Sequence, residues 1–197
     1  EVEEGRTIAC VCPPELTLHP GDPCVIEADR IQEFGKVAKV EEVTESAPDD
    51  KKAARVLRRA TLQDHAKAKE DEIMAKIAMT SLAGKVEKHG LNMGVVRVRY
   101  SLDRSVLRVT FTADERVEYG ALVQELSSEL RTRIEMIQIG VRDEAGMIGG
   151  MGPCGRTLCC CTWLKHFESI NVRMAKTQRV SLNPGAISGM CGRLKCC

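Results

Sequence analysis

Two hydrophobic periods divide the second half of the chain into strands and a helix. Apolar residues alternate with arginine or other polar residues over 96–100, 107–111 and 134–141. Period-two alternation predicts strands with one buried face, and the first two strands form a hairpin. Residues 118–133 place leucine and valine at three- and four-residue steps, which predicts an amphipathic helix. We therefore expect residues 91–145 to form an antiparallel sheet covered by helices.

The preceding segment, residues 47–90, is predicted as a polar linker followed by one long helix. It is rich in Ala, Lys, Glu and Arg, which favour helices, and Gly90 marks the end. Arginines are expected to form a basic spot at the start of this helix, at Arg55, Arg58 and Arg59. We interpret this spot as a solvated helix face rather than a phosphate-binding site. One apolar stripe is expected along it, at Ile73, Met74, Ile77, Ala78, Leu82 and Val86.

Residues 1–46 are predicted as a lead-in followed by a small β unit. A turn at residues 18–22 precedes two expected strands, residues 24–28 and 34–40. This order resembles the start of an SH3-like barrel, so the predicted fold class is α+β with a small barrel-like N-terminal unit. The strand cysteine Cys24 is expected to pack as a small apolar residue.

The composition of the chain argues against some classes of function. Apolar residues make up 43% and charged residues 29% of the chain, which is ordinary for a globular protein. A net charge of +1 and 3% aromatic residues supply neither the basic field nor the stacking platform of a typical nucleic-acid-binding protein, so direct RNA binding stays open. No apolar run reaches the ~18 residues of a membrane span and no signal peptide is visible. We expect a cytoplasmic protein.

Seven of the ten cysteines lie between residues 154 and 197. Two copies of the pattern G-x-C-G-R-x-x-C-C organise this segment, at residues 152–160 and 189–197, 37 residues apart. Clustering of this kind suits a local metal site better than disulfides between distant loops. The candidate ligands are Cys154, Cys159, Cys160, Cys191, Cys196 and Cys197, with Cys161 as a possible addition.

The spacing of these cysteines favours a cluster over a single ion. Thiolates select zinc, copper(I) or iron–sulfur clusters. Zinc sites commonly use C-x-x-C pairs, whereas both strings here are C-x4-C, which also occurs in [2Fe–2S] ferredoxins. We therefore favour an iron–sulfur cluster, with structural zinc as the alternative. Arg156 and Arg193 are expected to offset the negative charge of the thiolates.

Ligand counting predicts that the site is shared. One cluster uses four thiols, so two of the six paired-motif cysteines remain, or three thiols if Cys161 is counted. Adjacent residues on a helix point in different directions. The thiols of Cys159 and Cys160 are therefore expected to point to different binding sites, as are those of Cys196 and Cys197. We infer that some of these thiols bind metal together with ligands from another chain.

The residues around the two cysteine motifs are expected to have structural roles. The glycines of residues 146–152 match no phosphate-binding pattern and are expected to permit close backbone approach to the cysteines. An apparent helix carries an expected apolar shell over the site, formed by Trp163, Leu164 and Phe167. For three further residues, two interpretations stay open: metal ligation, or an ordinary surface or packing role. These residues are Cys10, Cys12 and His166.

The motifs together resemble the RicT (YaaT) family, whose domain is also named after a yeast suppressor of DNA polymerase defects. The resemblance covers about residues 16–197. It is most specific in the string G-G-M-G-P-C-G-R-T-L-C-C and its continuation, and it is carried by residues 20–22, 33–37, 111–117, 149–160, 174–176, 181–184 and 187–197.

The resemblance implies a bacterial cytoplasmic regulator, also described as a stage-zero sporulation protein, rather than an enzyme. Family members assemble with two small helical proteins, RicA and RicF, into a complex that carries [4Fe–4S] clusters. The complex promotes RNA processing by the endoribonuclease RNase Y, and sporulation, competence and biofilm formation depend on it. The resemblance implies that the six cysteines of the two motifs are the cluster ligands. Cys161 stands where the family has a small hydroxyl residue. The other class of function is a zinc-stabilised nucleic-acid-binding adaptor.

Overall fold

The computed structural model describes residues 8–28, 30–40, 54–164 and 166–197. Within them, helices and two separate sheets make an α+β protein, as predicted. In chain order the elements are β1 (Cys10–Val11), β2 (Pro23–Ala28), β3 (Ile31–Lys36), β4 (Ala54–Arg59), α1 (Leu62–Lys88), β5 (Gly94–Tyr100), β6 (Val106–Thr112), α2 (Gly120–Leu130), β7 (Arg133–Gln138), α3 (Val141–Ile148), α4 (Val172–Thr177) and α5 (Pro184–Ile187). Along these residues, no helix has both the length and the apolar character that a membrane crossing requires.

The N-terminal sheet has the order β1-β4-β2-β3 and stays open. β2 pairs antiparallel with β3 and β4, and β1 adds two residues parallel to β4. The expected barrel-like unit is not supported, because β1 and β3 remain the edges of the sheet that the described residues form. Cys24 is buried and packs with Ile26 and Val56, as predicted for a small apolar side chain.

β4 takes the place of the predicted first turns of the long helix. Ala54 and Val56 are buried and the arginines around them are exposed, so this segment alternates like a strand and pairs with β2. The helix begins only at Leu62 because Thr61 caps it. The Thr61 hydroxyl accepts from the Asp64 N–H at 3.3 Å, and the Asp64 carboxylate accepts from the Thr61 N–H at 2.7 Å. The predicted helical basic spot therefore belongs to a strand, at Arg55, Arg58 and Arg59.

α1 buries a face that only partly matches the predicted stripe. The prediction is correct in the C-terminal half, where the buried residues are Ala78, Leu82 and Val86. It is wrong in the N-terminal half, where the exposed residues are Ile73, Met74 and Ile77. There the helix is buried through Ala75 and Asp71. Asp71 tolerates burial because Arg104 Nε donates to its Oδ1 at 2.5 Å.

The second sheet has the order β5-β6-β7 and is mixed rather than antiparallel. β5 and β6 form the predicted hairpin, but β6 and β7 run parallel. Parallel pairing needs a crossover, and α2 supplies it. The sheet packs against α1 and α2 around a core formed by Leu82, Leu107, Val109, Leu122 and Leu126. This layer ends directly before the cysteine-rich segment.

Candidate metal centre

An unpredicted helix, α3, supports the cysteine-rich segment. Val141 ends the predicted third strand, but in the structure it starts α3, directly after Gly140. Asp143 and Glu144 lie in the first turn, where acidic side chains complement the helix dipole. This charge placement is the sequence signal that marks the helix.

The first cysteine loop, residues 150–160, is closed by three backbone hydrogen bonds. The N–H of Gly152 donates to the carbonyl of Arg156 at 2.8 Å, and that of Gly155 to the carbonyl of Gly152 at 2.9 Å. The N–H of Leu158 donates to the carbonyl of Gly150 at 3.0 Å. An antiparallel bridge between Met151 and Thr157 completes the loop.

The second cysteine loop, residues 187–197, repeats this structure. It has an antiparallel bridge between Ser188 and Leu194, at the positions 37 residues after those of the first loop. Its three backbone hydrogen bonds also match, from Gly189 to Arg193 at 2.8 Å, Gly192 to Gly189 at 3.0 Å and Lys195 to Ile187 at 2.8 Å. The sequence repeat is therefore a structural repeat.

Glycines let the cysteines and the backbone approach one another, as predicted. A Cβ at Gly152 would lie 3.4 Å from Cys154 Sγ, and one at Gly146, on α3, would lie 3.3 Å from the Cys160 carbonyl oxygen. The second loop repeats the first contact, because a Cβ at Gly189 would lie 3.6 Å from the cysteine sulfur two residues later. These close approaches allow α3 and the loops to pack around a shared space.

That shared space is a cavity of about 230 Å³ between α3 and the two loops. All ten cysteines lie in the described part of the chain and are free thiols. Six of them line the cavity, and they are the six predicted ligands Cys154, Cys159, Cys160, Cys191, Cys196 and Cys197. Cys161 lies outside this wall, and a Cβ at Gly149 would approach its sulfur to 3.7 Å. No described carboxylate or histidine lines the cavity.

The six thiols surround a volume rather than a point. Among the residues that the structure describes, no three His, Cys, Asp or Glu side chains come together closely enough to hold one metal ion. Burial raises the pKa of the Cys196 thiol, and the neighbouring thiols of Cys197 and Cys159 raise it further. A hydrogen bond to its own backbone and the Arg142 guanidinium act in the opposite direction. Metal binding at Cys196 therefore has to displace a proton.

The basic residues around the cavity differ from the predicted pair. Arg156 lines the cavity and is exposed, whereas Arg193 is exposed and lies outside the wall. Arg142, on the first turn of α3, was missed by the sequence reasoning and is part of the wall. No local spacing marks it, because its contacts are with Leu194 and Phe167, far along the chain.

Other candidate residues lie away from the cavity wall. Trp163 is 70% exposed in a turn outside any described helix, so the predicted helical apolar shell is wrong. Phe167 is half-buried and contacts Arg142. His166 is exposed. Cys10 and Cys12 lie at the N-terminal sheet, where the Cys12 thiol donates to the Leu16 carbonyl at 3.2 Å.

Comparison with known proteins identifies the class to which this fold and cysteine segment belong. Residues 54–139 match the family described as the PSP1 C-terminal conserved region, and residues 169–197 match the one described as PSP1-like protein, third domain. The first match runs from β4 to the end of β7, and the second contains the second cysteine loop. The chain therefore belongs to the PSP1 family.

Within that family the chain is similar to stage 0 sporulation protein YaaT of Bacillus subtilis (strain 168). The two are 45% identical over 170 residues, which cover 86% of this chain and 62% of the relative. The resemblance predicted from the cysteine motifs is thereby confirmed, and the chain spans about 62% of the length of this curated relative. No solved structure matches the chain.

Proposed function

We propose that the two cysteine loops hold an iron–sulfur cluster, of the [4Fe–4S] type that the family resemblance implies. The observation that carries this proposal is the convergence of six thiols, from two structurally repeated loops, on one cavity. Soft thiolate ligands without carboxylates suit iron–sulfur chemistry. A cavity of about 230 Å³ has room for several water-sized groups, which is more than one metal ion needs.

The arrangement fits a cluster better than the zinc alternative. A structural zinc ion needs four ligands at a single point, and the described side chains offer no such group. A cluster spreads its metal ions apart, so its ligands come from more widely spaced positions. One cluster uses four of the six cavity thiols. The remaining two are available to a second chain, which agrees with the predicted sharing of the site.

As the biological role, we propose a regulatory, non-catalytic subunit related to the sporulation protein YaaT. In this role the chain assembles with RicA-like and RicF-like helical partners and promotes RNase Y-dependent RNA processing in the cytoplasm. Family membership supports the assignment. The exposed rims of both loops, at Met151 and Met190, leave the cluster region accessible to a partner.

Purification without air tests the cluster proposal. The wild-type protein is expected to be brown, with iron and sulfide in comparable amounts. Replacing the three cysteines of either loop by alanine should remove most of the iron, because each loop lines the same cavity. Cys12→Ser is the matched control, since Cys12 is an exposed thiol of the N-terminal sheet. A colourless wild-type protein with stoichiometric zinc would overturn the cluster assignment and favour the zinc-stabilised adaptor.

Co-purification tests the assembly separately. Tagged wild-type chain is expected to retain its RicA-like and RicF-like partners under anaerobic conditions, and the loop variants should lose them together with iron. Loss of iron with unchanged assembly would contradict a role for the cluster in holding the complex.

A further inference from the structure

Arg142 connects α3 to the second cysteine loop. Its Nη2 donates to the carbonyl oxygen of Leu194 at 3.3 Å, across 52 residues of chain. Its guanidinium carbon lies 4.8 Å from the centroid of the Phe167 ring, a cation–π contact. Two contacts from different segments therefore hold this side chain in the wall of the cysteine cavity.

The Arg142 Nε–H is left without an acceptor. The atom is buried, and no hydrogen-bond partner reaches it from the described residues. An unsatisfied buried donor costs roughly 1–3 kcal/mol, and more when the group is charged. The same cavity wall carries six thiols and no described carboxylate. Thiolates, or a sulfur that they hold in place, are the charged acceptors that this wall offers to the donor.

Arg142 differs from the other basic residues of the wall. Arg156 and Lys195 belong to the cysteine loops themselves, and Arg156 is exposed. Arg142 comes from α3, the helix that also contacts the first loop through Gly146. It is thus placed to fix the position of one loop relative to the other.

We propose that Arg142 is the positioning residue of this metal centre. It holds the second cysteine loop through Leu194 and donates its Nε–H to a sulfur of the bound cluster or of a ligating thiolate. The inference rests on the proposed function, that the loops bind an iron–sulfur cluster. Hydrogen bonds and positive charge at the sulfurs favour the reduced, more negative state, so Arg142 raises the reduction potential.

The test compares Arg142→Gln and Arg142→Lys with the wild-type chain, all purified without air. Arg142→Gln should shift the midpoint potential to more negative values and release iron to a chelator roughly 10-fold faster. Arg142→Lys keeps the charge but not the planar fork, so it should restore most of the potential while iron release stays fast. Arg173→Gln, an exposed arginine of α4 outside both cysteine loops and outside the cavity wall, is the matched control and should leave both quantities unchanged.

The outcomes separate this inference from the proposed function. Wild-type protein without iron would overturn both. Iron-loaded wild type, with Arg142→Gln retaining the same potential and release rate, would overturn the role of Arg142 alone. Circular dichroism of the metal-free variants shows whether they fold. If Arg142→Gln fails to fold, iron release from Arg142→Lys decides: faster release than from wild type supports the proposal, and unchanged release contradicts it.

Discussion

Gly155 and Gly192 adopt nearly the same backbone conformation, with φ of 76° and 74°, at equivalent positions of the two cysteine loops. Each glycine follows the first cysteine of its loop, and each lies in the left-handed region that residues with a Cβ avoid. An added Cβ would meet nothing within 4 Å at either position, so the requirement for glycine is conformational rather than steric.

Alanine at either of these glycines should therefore cost about 1 kcal/mol of unfolding free energy, by the same amount in both loops. Asparagine, which tolerates this conformation, should cost less than alanine at each position. Denaturant titration of the metal-free protein measures both effects. Gly185→Ala is the control, because Gly185 has an ordinary φ and an added Cβ there would meet nothing closer than 3.9 Å. A much larger cost in one loop than in the other would show that the loops are not equivalent.

Gly146 provides a steric test of the contact between α3 and the first loop. A Cβ there would lie 3.3 Å from the Cys160 carbonyl oxygen, so Gly146→Val should push the first loop away and lower the iron content. Gly84→Ala is the matched control on another helix, because nothing lies within 4 Å of its added Cβ. That control should keep its iron and gain about 0.5–1 kcal/mol of stability. Iron analysis and denaturant titration give both results, and full iron loading of Gly146→Val would contradict the packing argument.

The cysteine centre was largely predictable from sequence, because its signal is local. A repeated spacing identifies residues that form a repeated loop, and the six predicted ligands do line one cavity. Arg142 was not predictable in the same way. Its contacts with Leu194 and Phe167 are 52 and 25 residues away along the chain, and no spacing rule connects them.

The errors in the predicted fold have related physical causes. Helix-forming residues at 54–59 suggested that the long helix starts early, but pairing with β2 outweighed their propensity. Apolar side chains at Ile73 and Ile77 suggested a buried stripe, yet the small Ala75 and the paired Asp71 face the interior. In both segments the structure is set by tertiary contacts, which cannot be read from the periodicity of the sequence.

Asp64 is expected to stabilise the start of α1 in a pH-dependent way. Hydrogen bonds from Arg58, followed by those from Thr61, hold the pKa of this carboxyl well below its usual range, although burial opposes them. Because the folded pKa is the lower one, the stabilisation is complete above the unfolded pKa of about 3.9 and is lost as the pH falls below it. Asp64→Asn should therefore cost about 1 kcal/mol at pH 7, and the difference from wild type should shrink toward pH 3.

Denaturant titration at several pH values measures this difference. Glu72→Gln is the control, because Glu72 pairs with Lys76 on the exposed surface of the same helix, where ion pairs contribute little. A gap between Asp64→Asn and wild type that stays constant from pH 7 to pH 3 would contradict the assignment.

Leu82 and Ile77 test which face of α1 forms the core. Leu82 is 2% exposed and packs against the second sheet and α2, whereas Ile77 is 61% exposed on the same helix. Leu82→Ala should lower the unfolding free energy by about 3 kcal/mol, because it leaves a cavity in a closed core. Ile77→Ala removes a similar volume from a solvated surface and should change it by less than about 0.5 kcal/mol. Denaturant titration of the isolated chain compares the two directly. Similar losses for both variants would mean that the predicted stripe through Ile77 is buried after all, and that α1 is rotated relative to the arrangement described above.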